Sequence, residues 1–308
     1  MKLKITLYSV CLLMLLAACQ QDGPTPEPSV GSRTVLVYMI AQNSLAPLAS
    51  ADIEEMKEGM RQVDATSGNL LVYIDDYSAP RLIRLGKDKK GKVVEETIEN
   101  YPEQNSADAN VMKKVISTAF NQYKAEKYGM VFWSHGEGWI PSPAKTRWFG
   151  QDGNNYMDIA DLHAALQVAP DLDFLFFDAC FMEAVEVAYA LRDCGSYLIS
   201  SPTEIPGPGA PYQTVVPAMF SAENAALKIA SCYYDYYQSR YNDGIGMSNE
   251  DWTGGVSVGV AKMSELENLA VATSKVLPRY ITGKQNFDLS GVMCLSLIHI
   301  SEPTRLRC

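Results

Sequence analysis

The stretch Leu172-Asp173-Phe174-Leu175-Phe176-Phe177-Asp178-Ala179-Cys180-Phe181-Met182 constrains the fold more than any other part of the chain. Its short, aromatic-rich apolar run reads as a strand covered on both faces, as in a parallel sheet. At its end the composition turns to Asp-Ala-Cys, then to the helical pattern Met182-Glu183-Ala184-Val185-Glu186-Val187-Ala188-Tyr189. Parallel α/β sheets place ligands at such strand ends. A helix opening at Cys180 would also favour its thiolate form. A lone cysteine here reads more simply as a buried structural thiol.

A second stretch changes that balance. Gly129-Met130-Val131-Phe132-Trp133-Ser134-His135-Gly136-Glu137-Gly138-Trp139 is built the same way, an apolar strand ending in a reactive side chain and glycines. A cysteine nucleophile needs a base, and imidazole is tuned for that near neutral pH. By itself His135 would read as a hydrogen-bonded core histidine. Two neighbouring parallel strands would set His135 and Cys180 side by side at one edge of the sheet.

This order of a strand–His-Gly block and a strand–Asp-Ala-Cys block is the pattern of the caspase-like cysteine peptidases. More closely, the chain resembles the clostripain family, from Thr34-Val35-Leu36-Val37-Tyr38-Met39-Ile40-Ala41-Gln42-Asn43-Ser44-Leu45 to about Tyr212. The resemblance includes His135 to Trp139, Asp178 to Met182, and Ser200-Ser201-Pro202-Thr203-Glu204-Ile205-Pro206-Gly207-Pro208-Gly209-Ala210-Pro211-Tyr212. Phe181 stands where family members often carry a smaller or aliphatic residue. The resemblance implies a caspase-like α/β/α fold and cleavage after Arg or Lys.

Both ends read differently from the middle. Lys2 and Lys4 precede an apolar run from Leu7 to Leu16, and Leu16-Ala17-Ala18-Cys19 looks like a lipobox. The expectation is a signal peptide over residues 1–18, lipidation at Cys19 and a Pro-rich tether over residues 19–33. That places the protein in the cell envelope, lipid-anchored at the outer membrane or cell surface. Leu295-Ser296-Leu297-Ile298-His299-Ile300-Ser301-Glu302-Pro303-Thr304-Arg305 looks like a translated sequencing adapter, so residues 295–308 are set aside. The expected peptidase domain is then residues 34–294, truncated at its C-terminus.

The formal charge is −10, and leaving out Lys2, Lys4 and the tail makes it more acidic. That argues against nucleic-acid binding and suits cationic substrates. Of seven cysteines, Cys180, Cys194, Cys232 and Cys294 remain after the ends are removed, too scattered for a disulfide scaffold.

Strand–helix alternation predicts a three-layer α/β/α sandwich on a mostly parallel sheet of about six strands. The strands are expected at Val35–Ala41, Asn69–Asp75, Gly129–Trp133, Leu172–Asp178, Ser196–Ser200 and Gly255–Ala261. Arg81–Leu85 and Lys92–Ile98 read as a surface hairpin. Helices are expected over Leu45–Met60, Ala107–Lys127, Asp158–Val168 and Ala222–Gln238, with a capping box at Ser264-Glu265-Leu266-Glu267 opening the last. Residues 136–157 read as a loop.

Other chemistries fit less well. Gly255-Val256-Ser257-Val258-Gly259 has the spelling of a hydrolase elbow but no helix after the serine. Zinc hydrolysis needs three protein ligands. His135 and His163 are the only credible histidines, and His163 sits mid-helix, where a satisfied side chain is expected. Asp152-Gly153-Asn154-Asn155 and Asp158 crowd oxygen ligands into one loop, although the EF-hand calcium pattern is absent. Some clostripain relatives use calcium, so calcium stays open, while the thiol chemistry itself requires no cofactor.

The reading is a cysteine endopeptidase with Cys180 as nucleophile and His135 managing protons. Backbone N–H groups of Cys180 and Gly136 would hold the oxyanion. Alternation puts Asp178 on the same side of its strand as Cys180, where a carboxylate could pair with a substrate guanidinium. The family resemblance supports that role; the alternative is a structural or capping Asp. Glu204 is a second candidate for the pocket wall. Lys145 and Arg147, in the proline-broken run between the His and Cys strands, offer a self-processing site. Partners are therefore peptides or proteins with basic residues, and a membrane through the lipid. The rival reading is a non-catalytic envelope lipoprotein that binds peptides or glycans at the same sheet edge.

Overall fold

The computed structural model describes residues 31–64, 67–139, 147–242 and 252–279. The signal-like segment, Cys19, most of the tether, Lys145 and the tail from Leu295 onward lie outside these residues. Among the described residues no helix is long and apolar enough to cross a membrane.

The chain alternates strand and helix as its periodicity predicts. Strands β1 (Arg33–Ile40), β2 (Gly68–Asp75), β3 (Arg81–Lys87), β4 (Val93–Asn100) and β5 (Lys127–Trp133) come first. They are followed by β6 (Trp148–Asp152), β7 (Asn155–Asp158), β8 (Leu172–Asp178), β9 (Tyr197–Ser200) and β10 (Gly259–Lys262). The helices are α1 (Ala46–Gln62), α2 (Ala109–Gln122), α3 (Ile159–Leu166), α4 (Val185–Ala190), α5 (Tyr212–Met219), α6 (Ala225–Gln238) and α7 (Leu266–Val276).

The main sheet has eight strands in the order β10-β9-β8-β5-β1-β2-β3-β4. Its centre, from β9 to β2, is parallel, while β10 and the β3–β4 pair are antiparallel at the two edges. The sheet therefore exceeds the six strands expected. The reason is β3, whose Leu82, Ile83 and Leu85 are buried, so the hairpin joins β2 instead of lying on the surface.

Alternating side chains split the core in two. Leu36, Tyr38, Ile40, Leu175 and Phe177 face one layer, with α2, α3 and α4 packed on them. Val35, Val37, Met39, Phe174 and Phe176 face the other, against α1, α5 and α6. Burying each of these large side chains contributes about 1.5–3 kcal/mol. A strand as apolar on both faces as β8 is stable only between two helical layers.

Three local expectations give way to detail. Residues 136–157 contain the β6–β7 hairpin. Of Gly255–Ala261 only the end is strand, because β10 begins at Gly259 and Gly255 has φ +76°. The last helix has no side-chain cap; a 3₁₀ turn over Met263–Glu265 leads into it, so Ser264 caps nothing.

Candidate active site

Strands β5 and β8 are parallel neighbours, and their last shared rung pairs Trp133 with Asp178. His135 and Cys180 each follow two residues later, so both leave the sheet at the same edge. The two loops touch through backbone: a Cβ on Gly136 would lie 3.0 Å from the Cys180 carbonyl oxygen. Gly138 has φ +55°, and a Cβ there would come 2.0 Å from the Phe181 carbonyl oxygen. Only glycine fits that position.

The residue after the cysteine is strained. Phe181 has φ 62° without being glycine, a conformation costing about 1–3 kcal/mol that neighbouring contacts must hold in place. Its N–H donates to Thr203 O at 2.9 Å, and the Glu183 N–H donates to Ser201 O at 3.0 Å. The segment after β9 thus clamps the turn that presents Cys180.

Here the structure corrects one expectation. Helix α4 starts at Val185, with Ala184 as its N-cap, so Cys180 does not sit on a helix N-terminus. Burial pushes the Cys180 thiol up to about 11, against the Ile205 N–H, which donates to Sγ at 3.4 Å. The negative charges of Glu204 and Asp178 push in the same direction as burial. In this state Cys180 is a neutral thiol at neutral pH.

His135 is held from the β1–α1 loop. Ser44 Oγ lies 2.8 Å from His135 Nε2. Ser44 reaches the ring because Asn43 does the local structural work. Its Oδ1 accepts from the Leu45 N–H, while its Nδ2 donates to Ile40 O and Gln151 O. Ser134 Oγ donates to Ile40 O and accepts from the Gln151 N–H, tying the strand end to both neighbours. Burial lowers the His135 pKa, so the imidazole is neutral at neutral pH. Among the described residues Nδ1 has no hydrogen-bond partner, which leaves one ring nitrogen available. In the sequence Asn43 and Ser44 merely precede the helix expected from Leu45, and nothing there signals contact with His135.

Gly136 pairs with Phe149 in an isolated antiparallel bridge. The bridge bonds run from the Glu137 N–H to Trp148 O and from the Gly150 N–H to His135 O. The Gly136 N–H is therefore outside this bridge, and among the described residues it has no partner.

Asp178 is 3% exposed and organises the floor beneath the two loops. The Ala210 N–H donates to both carboxylate oxygens at 3.0 Å, Tyr212 OH to Oδ2 at 2.9 Å and Tyr233 OH to Oδ1 at 3.5 Å. Burial pushes the carboxyl up to about 6, partly offset by those donors. Among the described residues no cationic side chain pairs with it. Gly209, at φ +69°, allows this approach, since a Cβ there would lie 2.8 Å from Oδ2.

Two further carboxyls stand close by, both missed in the sequence as ordinary helix acids. Asp52 accepts from Trp133 Nε1 at 2.6 Å, and burial raises it to about 9. Glu55 accepts from the Tyr212 N–H at 3.0 Å. The floor is thus acidic and ringed by Tyr212, Tyr233 and Tyr237, all buried. Helical spacing of tyrosines in α6 was the signal available for it.

The other candidates fall elsewhere. Glu204 lies in the loop after β9, close enough to Cys180 for its charge to be felt. Arg147 is exposed, with its guanidinium 4.7 Å over the Trp139 ring. Asp152 and Asp158 stand at opposite ends of the β6–β7 hairpin. Asp152 accepts from the Ser106 N–H, and Asp158 caps α3. Ser257 precedes a strand and has no helix after it, so no hydrolase elbow forms.

Residues 37–302 match the clostripain family. Clostripain of Hathewaya histolytica is 28% identical over 217 residues, 59% of this chain and 41% of that protein. The chain therefore spans about two fifths of that relative's length. A secreted C11 cysteine protease from Bacteroides thetaiotaomicron, solved in complex with an irreversible peptide inhibitor, is 56% identical, with a TM-score of 0.77. The match covers 80% of this chain and 71% of that one. An inactive zymogen C11 protease from Parabacteroides distasonis is 34% identical with a TM-score of 0.70, covering 87% of this chain and 73% of that one. With a mostly parallel sheet between two helical layers, a His strand and a Cys strand side by side, and a family match over most of its length, the chain belongs to the clostripain family.

Proposed function

We propose that this chain is a cysteine endopeptidase that cuts after Arg or Lys, with Cys180 as nucleophile and His135 as proton carrier. The observation that carries the reading is the shared rung of β5 and β8, which delivers both side chains to one edge. Cys180 starts as a thiol, so His135 takes its proton as Sγ attacks the scissile carbonyl. The oxyanion that forms accepts from the N–H groups of Gly136 and Cys180. Protonated His135 then gives its proton to the leaving amine, and water attacks the thioester with His135 as base. Ser44 keeps the ring oriented through both steps.

Specificity comes from the acidic floor. A substrate guanidinium meeting Asp178 gains a charge-assisted pair in a dry site. Glu204 adds negative charge at the pocket wall. The relative solved with an irreversible peptide inhibitor supports a peptide-binding site on this fold.

Self-processing at Lys145 or Arg147 fits the same preference, because Arg147 is exposed between the His and Cys strands. The relative described as an inactive zymogen supports a latent precursor. Export, supported by the relative described as secreted, and lipid attachment at Cys19 complete the reading. The thiol and imidazole supply the chemistry without a required cofactor, and calcium is possible beside them.

The test is hydrolysis of a peptide series that differs only at the residue before the cut. Arg above Lys, and both far above Ala and Asp, is the expected order. Equal turnover of the Arg and Asp peptides would sink the pocket assignment.

A further inference from the structure

A second group of reactive side chains stands at the opposite end of the sheet, unused by the peptidase reading. His163 lies in α3, and Asp193 and Cys194 lie in the turn before β9. The Ser196 N–H bonds to Leu172 O at the start of β8, which fixes this turn at the N-terminal edge of the strands. His163 Nε2 is 2.8 Å from Asp193 Oδ1, and Cys194 Sγ is 3.8 Å from the same oxygen. All three donor atoms lie within 4.8 Å of one another. Gln167, one turn after His163, brings its Nε2 to 3.3 Å from His163 Nε2 and 3.7 Å from Cys194 Sγ. Turning that amide over puts its carbonyl oxygen at the same point.

We propose that His163, Asp193 and Cys194, with Gln167 or a water as fourth ligand, bind zinc or a similar borderline divalent cation. Tetrahedral zinc separates nitrogen and oxygen donors by about 3.3 Å, and sulfur from either by about 3.6 Å. The Cys–Asp spacing is already right, and the His–Asp contact has to open by only about half an ångström. Thiol and imidazole donors disfavour calcium and magnesium, which take oxygen. The neighbouring cation, Arg192, is engaged elsewhere, stacked on Tyr189 at 4.0 Å and paired with Glu267 at 3.5 Å. A cavity of about 470 Å³ bordered by Gln167, Asp171 and Cys194 gives the ion a way in.

Binding forms an S–metal bond and releases the thiol proton to solvent. A thiol must lose its proton to ligate, so affinity should rise with pH. The metal would tie the end of α3 to the α4–β9 turn. It would stabilise the fold far from Cys180 and leave hydrolysis unaffected.

Cobalt(II) alone, titrated into the full chain carrying Cys180→Ala, tests this site without the active-site thiol as competitor. One equivalent should produce a near-ultraviolet sulfur-to-cobalt band and tetrahedral visible bands, both displaced by zinc. Cys194→Ser should abolish the sulfur band. His163→Gln, at a partly exposed position that spares the core, should weaken cobalt binding at least tenfold. No sulfur band in the parent protein, or an unchanged titration in His163→Gln, would overturn the proposal. The readout involves no hydrolysis, so it stands or falls apart from the peptidase reading.

Discussion

Trp133 and Asp178 face each other across the last rung shared by β5 and β8, and everything reactive follows from that register. A slip of one residue would turn either His135 or Cys180 to the other face of its strand. The first prediction is therefore that Cys180→Ala and His135→Ala each lower kcat/KM for an Arg peptide by roughly 10⁴ or more. Circular dichroism and melting should stay close to the parent, since neither side chain belongs to the two core layers. Activity within tenfold of the parent in either variant would contradict the dyad.

Much of this was legible in the chain because β5 and β8 are continuous apolar runs that end abruptly in His135 and Cys180. Such runs fit only a doubly covered sheet, so fold class and reactive edge came together. What stayed hidden depends on long-range contacts. The β3–β4 hairpin has ordinary hairpin spelling, and only the burial of Leu82 and Ile83 attaches it to β2. Ser44 looks like a helix start, but α1 begins at Ala46 without a side-chain cap, and the Ser44 hydroxyl meets His135 instead. The late start of α4 was concealed because Met182 to Ala184 are good helix formers held in a turn by Thr203 and Ser201.

The second prediction concerns the thiol. With Cys180 pushed up to about 11 and His135 lowered, both groups are neutral in the free enzyme. Iodoacetamide should then alkylate Cys180 more slowly at neutral pH than it alkylates an exposed thiol, with the rate climbing toward pH 11. Fast alkylation near pH 6 would indicate a preformed thiolate–imidazolium pair instead.

Asp178 gives the third. Its carboxyl must be ionised to pair with a guanidinium, and it titrates at about 6. KM for an Arg peptide should rise as pH falls below that value, whereas KM for a peptide with an uncharged residue there should not. Asp178→Asn should remove both the pH dependence and most of the preference for Arg. Gly209→Ala should do similar damage by pressing on the carboxylate, at a φ where alanine is strained. A pH-independent KM for the Arg peptide would place the pocket elsewhere.

The fourth follows from Asp52. Its proton is held up to about 9 in the folded chain, against 3.8 for an unperturbed carboxyl. The folded state binds the proton more tightly, so this contribution is fully present below pH 3.8 and is lost as pH rises to about 9. Asp52→Asn should flatten that part of the stability curve in denaturant titrations run across the window. An unchanged slope would mean that Asp52 is already ionised near Asp178.

The central claim is that Cys180 is the one thiol activated for attack on a peptide carbonyl. Cys194 and Cys232 are also free thiols and serve as internal controls. The most direct measurement is mass-spectrometric mapping after reaction with a peptide bearing Arg and a thiol-reactive ketone. One adduct on Cys180, lost in Cys180→Ala and in His135→Ala, is the result predicted. Adducts on Cys194 or Cys232 of equal yield, or labelling that survives His135→Ala, would contradict the account.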